Sequence, residues 1–282
     1  MHKTKRLFLF AGFTPNCKID DALIYYIKTL HKFGDVILCM DSNCNATELK
    51  KLKPYTIHAV AKRHGEYDFG SYKRAFQYAY ERGILKNYDV LYLVNDSVYG
   101  PTIDLTNTIN NIEKIPTDAA GLIVSKHKTH KFMESWFVRL NQNIFISQWF
   151  ADFMASITHQ EHKYQITVKY EHGLSNLITN NGYTWGGVYT FRGRFTYNNP
   201  KKLFKLGCPF LKKASFTRHN GAIGYDINYV LTNCNKTASK VIKNAGINAY
   251  SQDYINWLLT KNPLTKLTRG IRYAIKKQRN QL

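Results

Sequence analysis

Cysteine is sparse here. The five residues Cys17, Cys39, Cys44, Cys208 and Cys234 are odd in number and show no Cys-x-x-Cys spacing. That leaves no readable disulfide framework or zinc finger and makes a reducing cytoplasm the expectation, with Cys39 a small core residue in a strand. Long apolar runs are missing too, so no stretch is expected to span a bilayer. The basic Lys3–Arg6 followed by Leu7–Gly12 mimics a signal peptide. Its apolar run is short and leads into Pro15-Asn16 without a cleavage pattern, so a first strand is expected instead. Internal repeats and low-complexity linkers are lacking, as are helix-turn-helix, zinc-finger and RNA-recognition signatures. Acidic residues are in short supply: 19 against 40 Lys and Arg, a net charge of +21. An anionic partner follows, either a phosphorylated substrate, an anionic membrane face or nucleic acid. The missing signatures weigh against nucleic acid.

A chain of 282 residues with 44% hydrophobic content can bury a full core. The expectation is one catalytic domain over residues 1–260 and a basic tail over 261–282. Arg6 to Ala11 predicts a buried strand. Leu23, Ile24, Ile27, Leu30 and His31 then recur at helical spacing behind Asp20 and Asp21. Val36 to Met40 predicts a second strand ending on Asp41, and Thr56 to Val60 a third, the opening of a doubly wound α/β sheet. Trp149, Phe150, Phe153 and Met154 mark a short helix packed on the core. The 20 tyrosines either fill the core or line a sugar site.

The most informative stretch is Arg63 to Pro101. A Gly-punctuated turn, Tyr67-Asp68-Phe69-Gly70-Ser71-Tyr72, opens a helix carrying Lys73 and Arg74. The continuous apolar run Val90 to Val94 follows and ends at Asn95-Asp96, before the turn at Gly100-Pro101. An acid at the carboxyl end of a central α/β strand lies where such sheets bind ligands. These residues, with Tyr170-Glu171-His172-Gly173-Leu174-Ser175 and Pro209-Phe210-Leu211-Lys212-Lys213, resemble the rhamnan synthesis protein F family of bacterial glycosyltransferases. The resemblance spans roughly Arg6 to Lys213. It departs at Phe132 and Glu134, where the family usually has His and Gln.

The resemblance implies a GT-A-like doubly wound mixed sheet flanked by helices, with a helical basic extension. The implied activity is inverting transfer of a sugar, rhamnose favoured, from a nucleotide diphosphate sugar to a hydroxyl of a growing surface glycan. Lipopolysaccharide, O-antigen and capsule are the candidate glycans, and the acceptor is expected to be lipid-linked. Asp41, Asp68, Gly70, Lys73, Arg74, Asn95, Asp96, Lys212 and Lys213 become donor-site candidates. Asp96 and His219 become metal candidates for Mg²⁺ or Mn²⁺. Glu171 becomes the catalytic base, with His172 where related enzymes carry a second acid.

Plainer readings stand beside these. Asp41 is also a turn aspartate, Asp68 an N-cap and Glu171 a helix-start residue facing the dipole. Lys73 and Arg74 diverge around the helix, so at most one faces a phosphate. Lys212 and Lys213 also read as a solvated loop. A single acid at Asn95-Asp96 keeps open a degenerate subunit that binds nucleotide sugars without turnover. In the tail, Leu264, Leu267, Ile271 and Ile275 recur at helical spacing among Lys266, Arg269, Arg272, Lys276, Lys277 and Arg279, with no acid from Asn262 onward. That pattern suits a helix lying on the anionic inner face of the cytoplasmic membrane, or a packing helix with a solvated basic face.

Overall fold

A computed structural model describes residues 4–278, without the side chains of Asn220, Lys266, Tyr273 and residues 276–278. Its strands, in chain order, are β1 (Arg6–Gly12), β2 (Asp35–Met40), β3 (His58–Ala61), β4 (Val90–Asn95), β5 (Val98–Tyr99), β6 (Ala119–Lys126), β7 (Lys131–Met133), β8 (Phe137–Asn141), β9 (Trp185–Arg192) and β10 (Leu211–Lys212). The chain divides into two compact units, interleaved along the sequence. The first takes residues up to Ile19, Ile27–Asp96 and Ile109–Gly193. The second takes Asp20–Tyr26, Ser97–Thr108 and Arg194 onward.

The first unit is built on a mixed sheet of order β3-β2-β1-β4-β8-β6-β7, with β9 on the other edge of β6. β3, β2, β1 and β4 run parallel, while β8 pairs antiparallel to β4 and β6. β1, β2 and β4 read as unbroken apolar runs because both faces of each strand are buried; Leu7 to Phe10 and Leu91 to Val94 are all fully buried. At the amino end of the sheet, Arg6 makes a two-pronged ion pair with Glu113, both N···O distances 2.7 Å, and Tyr92 Oη donates to the same carboxylate. Charge-assisted bidentate pairing of this kind fixes geometry as well as contributing energy.

Two irregularities shape the antiparallel half. β7 and β8 both lie against β6, but their registers are out of step. The chain therefore bulges out at Glu134–Trp136. The second is in the helix following residue 162. It runs as Lys163–Ile166, then a π-helical turn Thr167–His172, then Gly173–Asn180. The helix expected to begin at Glu171 begins eight residues earlier by this reckoning, at Lys163, and Glu171 sits in its wide turn.

The second unit is mainly helical. Gly224–Asn233, Lys236–Ala249 and Gln252–Leu258 pack Ile227, Val230, Leu231, Ile242, Ala245 and Ile255 around Phe216, beside the short antiparallel pair β5–β10. The helix Pro263–Gln278 follows. Its Arg269 is turned inward: Nη1 donates to the Leu258 carbonyl at 3.0 Å, Nη2 donates to the Trp257 carbonyl, and the guanidinium lies 4.1 Å from the Trp257 ring centroid. Arg269 therefore does not belong to the outward basic face assigned to it. Leu264, Leu267, Ile271 and Ile275 point out, 72%, 61%, 50% and 43% exposed, so the stripe is not part of the core. Arg279, and the side chains of Lys266, Lys276 and Lys277, lie outside the described residues.

Candidate active site

The carboxyl ends of the parallel strands gather one set of polar groups. Asp41, at the end of β2, is 4% exposed. Its Oδ1 accepts from the backbone N–H groups of His64 (2.7 Å) and Gly65 (2.9 Å), and Arg63 Nη1 lies 3.2 Å from Oδ2. Burial works against the charged form, but the two N–H donors, with His64 and Arg63, outweigh it and lower the Asp41 pKa. Asp41 thus holds the loop after β3 in place. Arg63 itself is 53% exposed along its side chain and lies over the Phe13 ring at 5.3 Å. It was not among the candidates, although the quoted stretch begins on it.

Asp96 stands one residue past β4, its N–H bonded to the Ala11 carbonyl and its Oδ2 accepting from Phe13 N at 3.2 Å. It is half-buried at the end of two adjacent parallel strands. Asn95 faces the other way, as strand alternation requires. It is 4% exposed, and its Nδ2 donates to Asp68 Oδ2 at 3.2 Å.

Asp68 is not the N-cap of its helix. The helix is Tyr67–Glu81 with Glu66 at the cap position, and Asp68 lies in the first turn. Its Oδ2 instead reaches Asn95 and the Ser135 hydroxyl, the latter at 3.4 Å. Gly70 is required by contact: a Cβ there would meet Glu66 Cβ at 2.3 Å and His64 Cε1 at 2.9 Å. The cations of this helix are engaged locally. Lys73 Nζ donates to the Ile157 carbonyl at 2.7 Å, and Arg74 Nη1 pairs with Glu66 Oε2 at 2.6 Å.

Ser135, in the bulge, is clamped from three sides. Its N–H donates to Glu171 Oε1 at 2.6 Å, its carbonyl accepts from Tyr72 Oη at 2.9 Å, and its hydroxyl faces Asp68. Beside it Glu134 is 5% exposed and accepts from Ser125 Oγ (2.8 Å) and Trp136 Nε1 (2.6 Å). Three carboxyl groups from distant parts of the chain therefore share one neighbourhood. Burial raises the Glu171 pKa to about 7; the Ser135 N–H opposes this, and the Asp68 and Glu134 carboxylates add to it. Burial raises Asp68 as well, against the nearby Lys163. Ser135 and Glu134 carry this geometry and went unread as site residues. The out-of-register bulge that places them leaves no mark in hydrophobic periodicity.

The other candidates belong to the second unit. Lys212 is 5% exposed, with Nζ 3.3 Å from Ser97 Oγ and 5.2 Å from the Tyr197 centroid; Lys213 lies over Tyr99 at 5.3 Å. His219 has φ +52°, and its Nε2 is 3.0 Å from Asn198 Oδ1, which also accepts from Arg218 Nε. Burial, with Arg218 adding to it, lowers the His219 pKa. Among the described residues no three His, Cys, Asp or Glu side chains gather as a set able to hold a metal. Oxygen sites for Mg²⁺ or Mn²⁺ need six or so ligands, and Asp96 alone does not supply such a set. Asp96 belongs to the first unit and His219 to the second.

The family model for rhamnan synthesis protein F matches residues 36–279, which takes in all of this geometry from Asp41 to Glu171. The chain belongs to the rhamnan synthesis protein F family. At that level it is a nucleotide-sugar glycosyltransferase of polysaccharide biosynthesis. No curated protein matches it. Among solved structures it is similar to a putative nucleotide-diphospho-sugar transferase from Desulfovibrio desulfuricans G20, at 15% identity and TM-score 0.40, covering 88% of this chain and 99% of that one. A second is core-mannan synthase A from Aspergillus fumigatus in a Mn/GDP form, at 12% identity and TM-score 0.32, covering 54% of this chain and 63% of that one. At such scores neither likeness bears on the argument. The mixed α/β sheet expected from the sequence is present in the first unit.

Proposed function

We propose that this family member is a GT-A-like inverting transferase that moves a sugar, rhamnose favoured, from a nucleotide diphosphate sugar to a hydroxyl of a bacterial surface glycan. The observation that carries the chemistry is Glu171, half-buried, held by the Ser135 N–H and raised to about 7 chiefly by desolvation. A base whose pKa lies near the working pH is the efficient one. Glu171 takes the proton of the acceptor hydroxyl. The acceptor oxygen then bonds to the anomeric carbon as the bond from that carbon to the diphosphate oxygen breaks, and the nucleoside diphosphate leaves with the electron pair. Attack on the face opposite the leaving group inverts the centre.

The donor is assigned to the carboxyl edge of β1, β2 and β4, with Asp96 and the loop held by Asp41 around it. The exposed Arg63 guanidinium, at this edge, is assigned to the departing diphosphate. No step here passes through a metal. Thermal-shift titration with dTDP-, UDP- and GDP-sugars, each with and without Mn²⁺, tests the reading. A shift with one nucleotide family together with turnover supports it, whereas binding without turnover supports the degenerate subunit.

We assign the tail helix to an anionic membrane surface at the inner face of the cytoplasmic membrane. Its outward Leu264, Leu267, Ile271 and Ile275 stripe and a segment free of acids suit such a face. No helix among the described residues is long and apolar enough to cross a membrane.

A further inference from the structure

Next to Glu171 the chain builds a stack of rings that the reaction outlined above does not use. His127 and His130 sit on the hairpin between β6 and β7, closed by a bond from His127 N–H to the His130 carbonyl. Their rings are 4.9 Å apart and within 2° of parallel. Phe132, on β7, lies 5.8 Å from His127 and 5.9 Å from His130, again near-parallel. The fourth ring is His172, in the π-helical turn immediately after Glu171, 3.8 Å from Phe132 and 4.9 Å from His130.

The arrangement is not that of a metal site. Stacked imidazoles turn ring faces toward one another, whereas a metal needs in-plane lone pairs converging on a point. Nor is it buried packing: His127 and His130 are exposed, although Phe132 beneath them is only 6% exposed. Burial, and then the neighbouring His130 and His127, lower the His172 pKa to about 4, so that ring is uncharged at neutral pH. Flat, partly exposed ring faces suit the C–H face of a pyranose, as apolar lining with a few polar groups suits small ligands generally.

We propose that His127, His130, Phe132 and His172 form the platform on which an acceptor sugar ring stacks, presenting its hydroxyl to Glu171. This rests on the transferase reading above. The donor edge is at Asp41 and Asp96, so the platform serves the acceptor rather than the nucleotide.

The test uses the full-length protein and the double variant His127→Ala/His130→Ala, both changes at exposed positions. Binding of rhamnose oligosaccharides is read by saturation-transfer NMR, and binding of dTDP by calorimetry. Losing these ring contacts should weaken oligosaccharide binding about tenfold, about 1.4 kcal/mol, and leave dTDP binding unchanged. His130→Trp, which keeps a flat face, should restore most of the lost affinity. Unchanged oligosaccharide binding in the double variant overturns the platform. So does loss of dTDP binding or of the folded state, since either gives the rings a different role. A wild-type protein that binds no oligosaccharide also overturns it. A wild type that binds oligosaccharide through these rings but never consumes a nucleotide sugar leaves the platform standing and overturns the transferase reading.

Discussion

Glu171 is where the residue-scale account is most exposed to experiment. Its folded-state pKa is raised from 4.5 to about 7, so the base form appears only as pH rises through about 7. The rate of transfer should therefore show an acidic limb near that pH. Glu171→Gln should keep nucleotide binding and lower the transfer rate by roughly 10²- to 10⁴-fold. Glu134→Gln should move the limb to lower pH, because it removes one of the carboxylates that raise Glu171. The amide can keep both contacts at that position, accepting from Trp136 and donating to Ser125 Oγ. A limb that stays in place in that variant, read from pH–rate profiles, would separate Glu171 from the acid titration. Linkage gives a second signature. A raised carboxyl pKa contributes stability that is complete below about 4.5 and lost as pH climbs through about 7. Glu171→Gln should then melt higher than wild type at pH 8, with the gap closing near pH 4.5. Asp41 has the opposite sign: its lowered pKa contributes stability above its ordinary value of 3.8 that is lost on acidification. Asp96→Ala, at a half-buried crevice position, should abolish transfer with the melting temperature little changed, which a thermal melt beside an activity assay would show.

At the scale of elements, the parallel strands were legible because burial on both faces writes them as unbroken apolar runs. Asp35–Met40 and Val90–Asn95 fall where Val36 to Met40 and Val90 to Val94 were expected. The site's second half was not legible in the same way. Glu171 was read as a helix-start residue, yet the segment joins a preceding helical one through a π-helical turn. Such a turn widens the helix locally and often marks a functional position, but its cause is tertiary. The helix Tyr67–Glu81 likewise begins before the glycine that was taken to open it. Gly70 is inside that helix because Glu66 and His64 pack against its Cα. Gly70→Ala should therefore cost about 1–3 kcal/mol, the range for overpacking a tight contact, measured by urea unfolding. A variant as stable as wild type would show that the Arg74–Glu66 pair and His64 shift without cost.

For the whole molecule, charge bears on the proposed partners. A net charge of +21 fits a diphosphate donor and an anionic surface, and the tail concentrates part of it beside an outward apolar stripe. Each Lys or Arg near such a surface contributes about 1 kcal/mol before screening. Deleting residues 265–282 should release the protein from anionic liposomes while activity on a soluble acceptor persists, and added salt should weaken binding of the intact chain. Co-sedimentation of the truncated chain at the full-length level would remove the tail from the account. The central claim, transfer from a nucleotide sugar with Glu171 as base, is tested most directly by one comparison. Wild type and Glu171→Gln are each incubated with dTDP-rhamnose and a glycan acceptor, and the nucleoside diphosphate released is followed together with dTDP affinity. The account predicts release by wild type, near-complete loss in the variant and equal affinity in both; release at the same rate by the two proteins, or by neither, would contradict it.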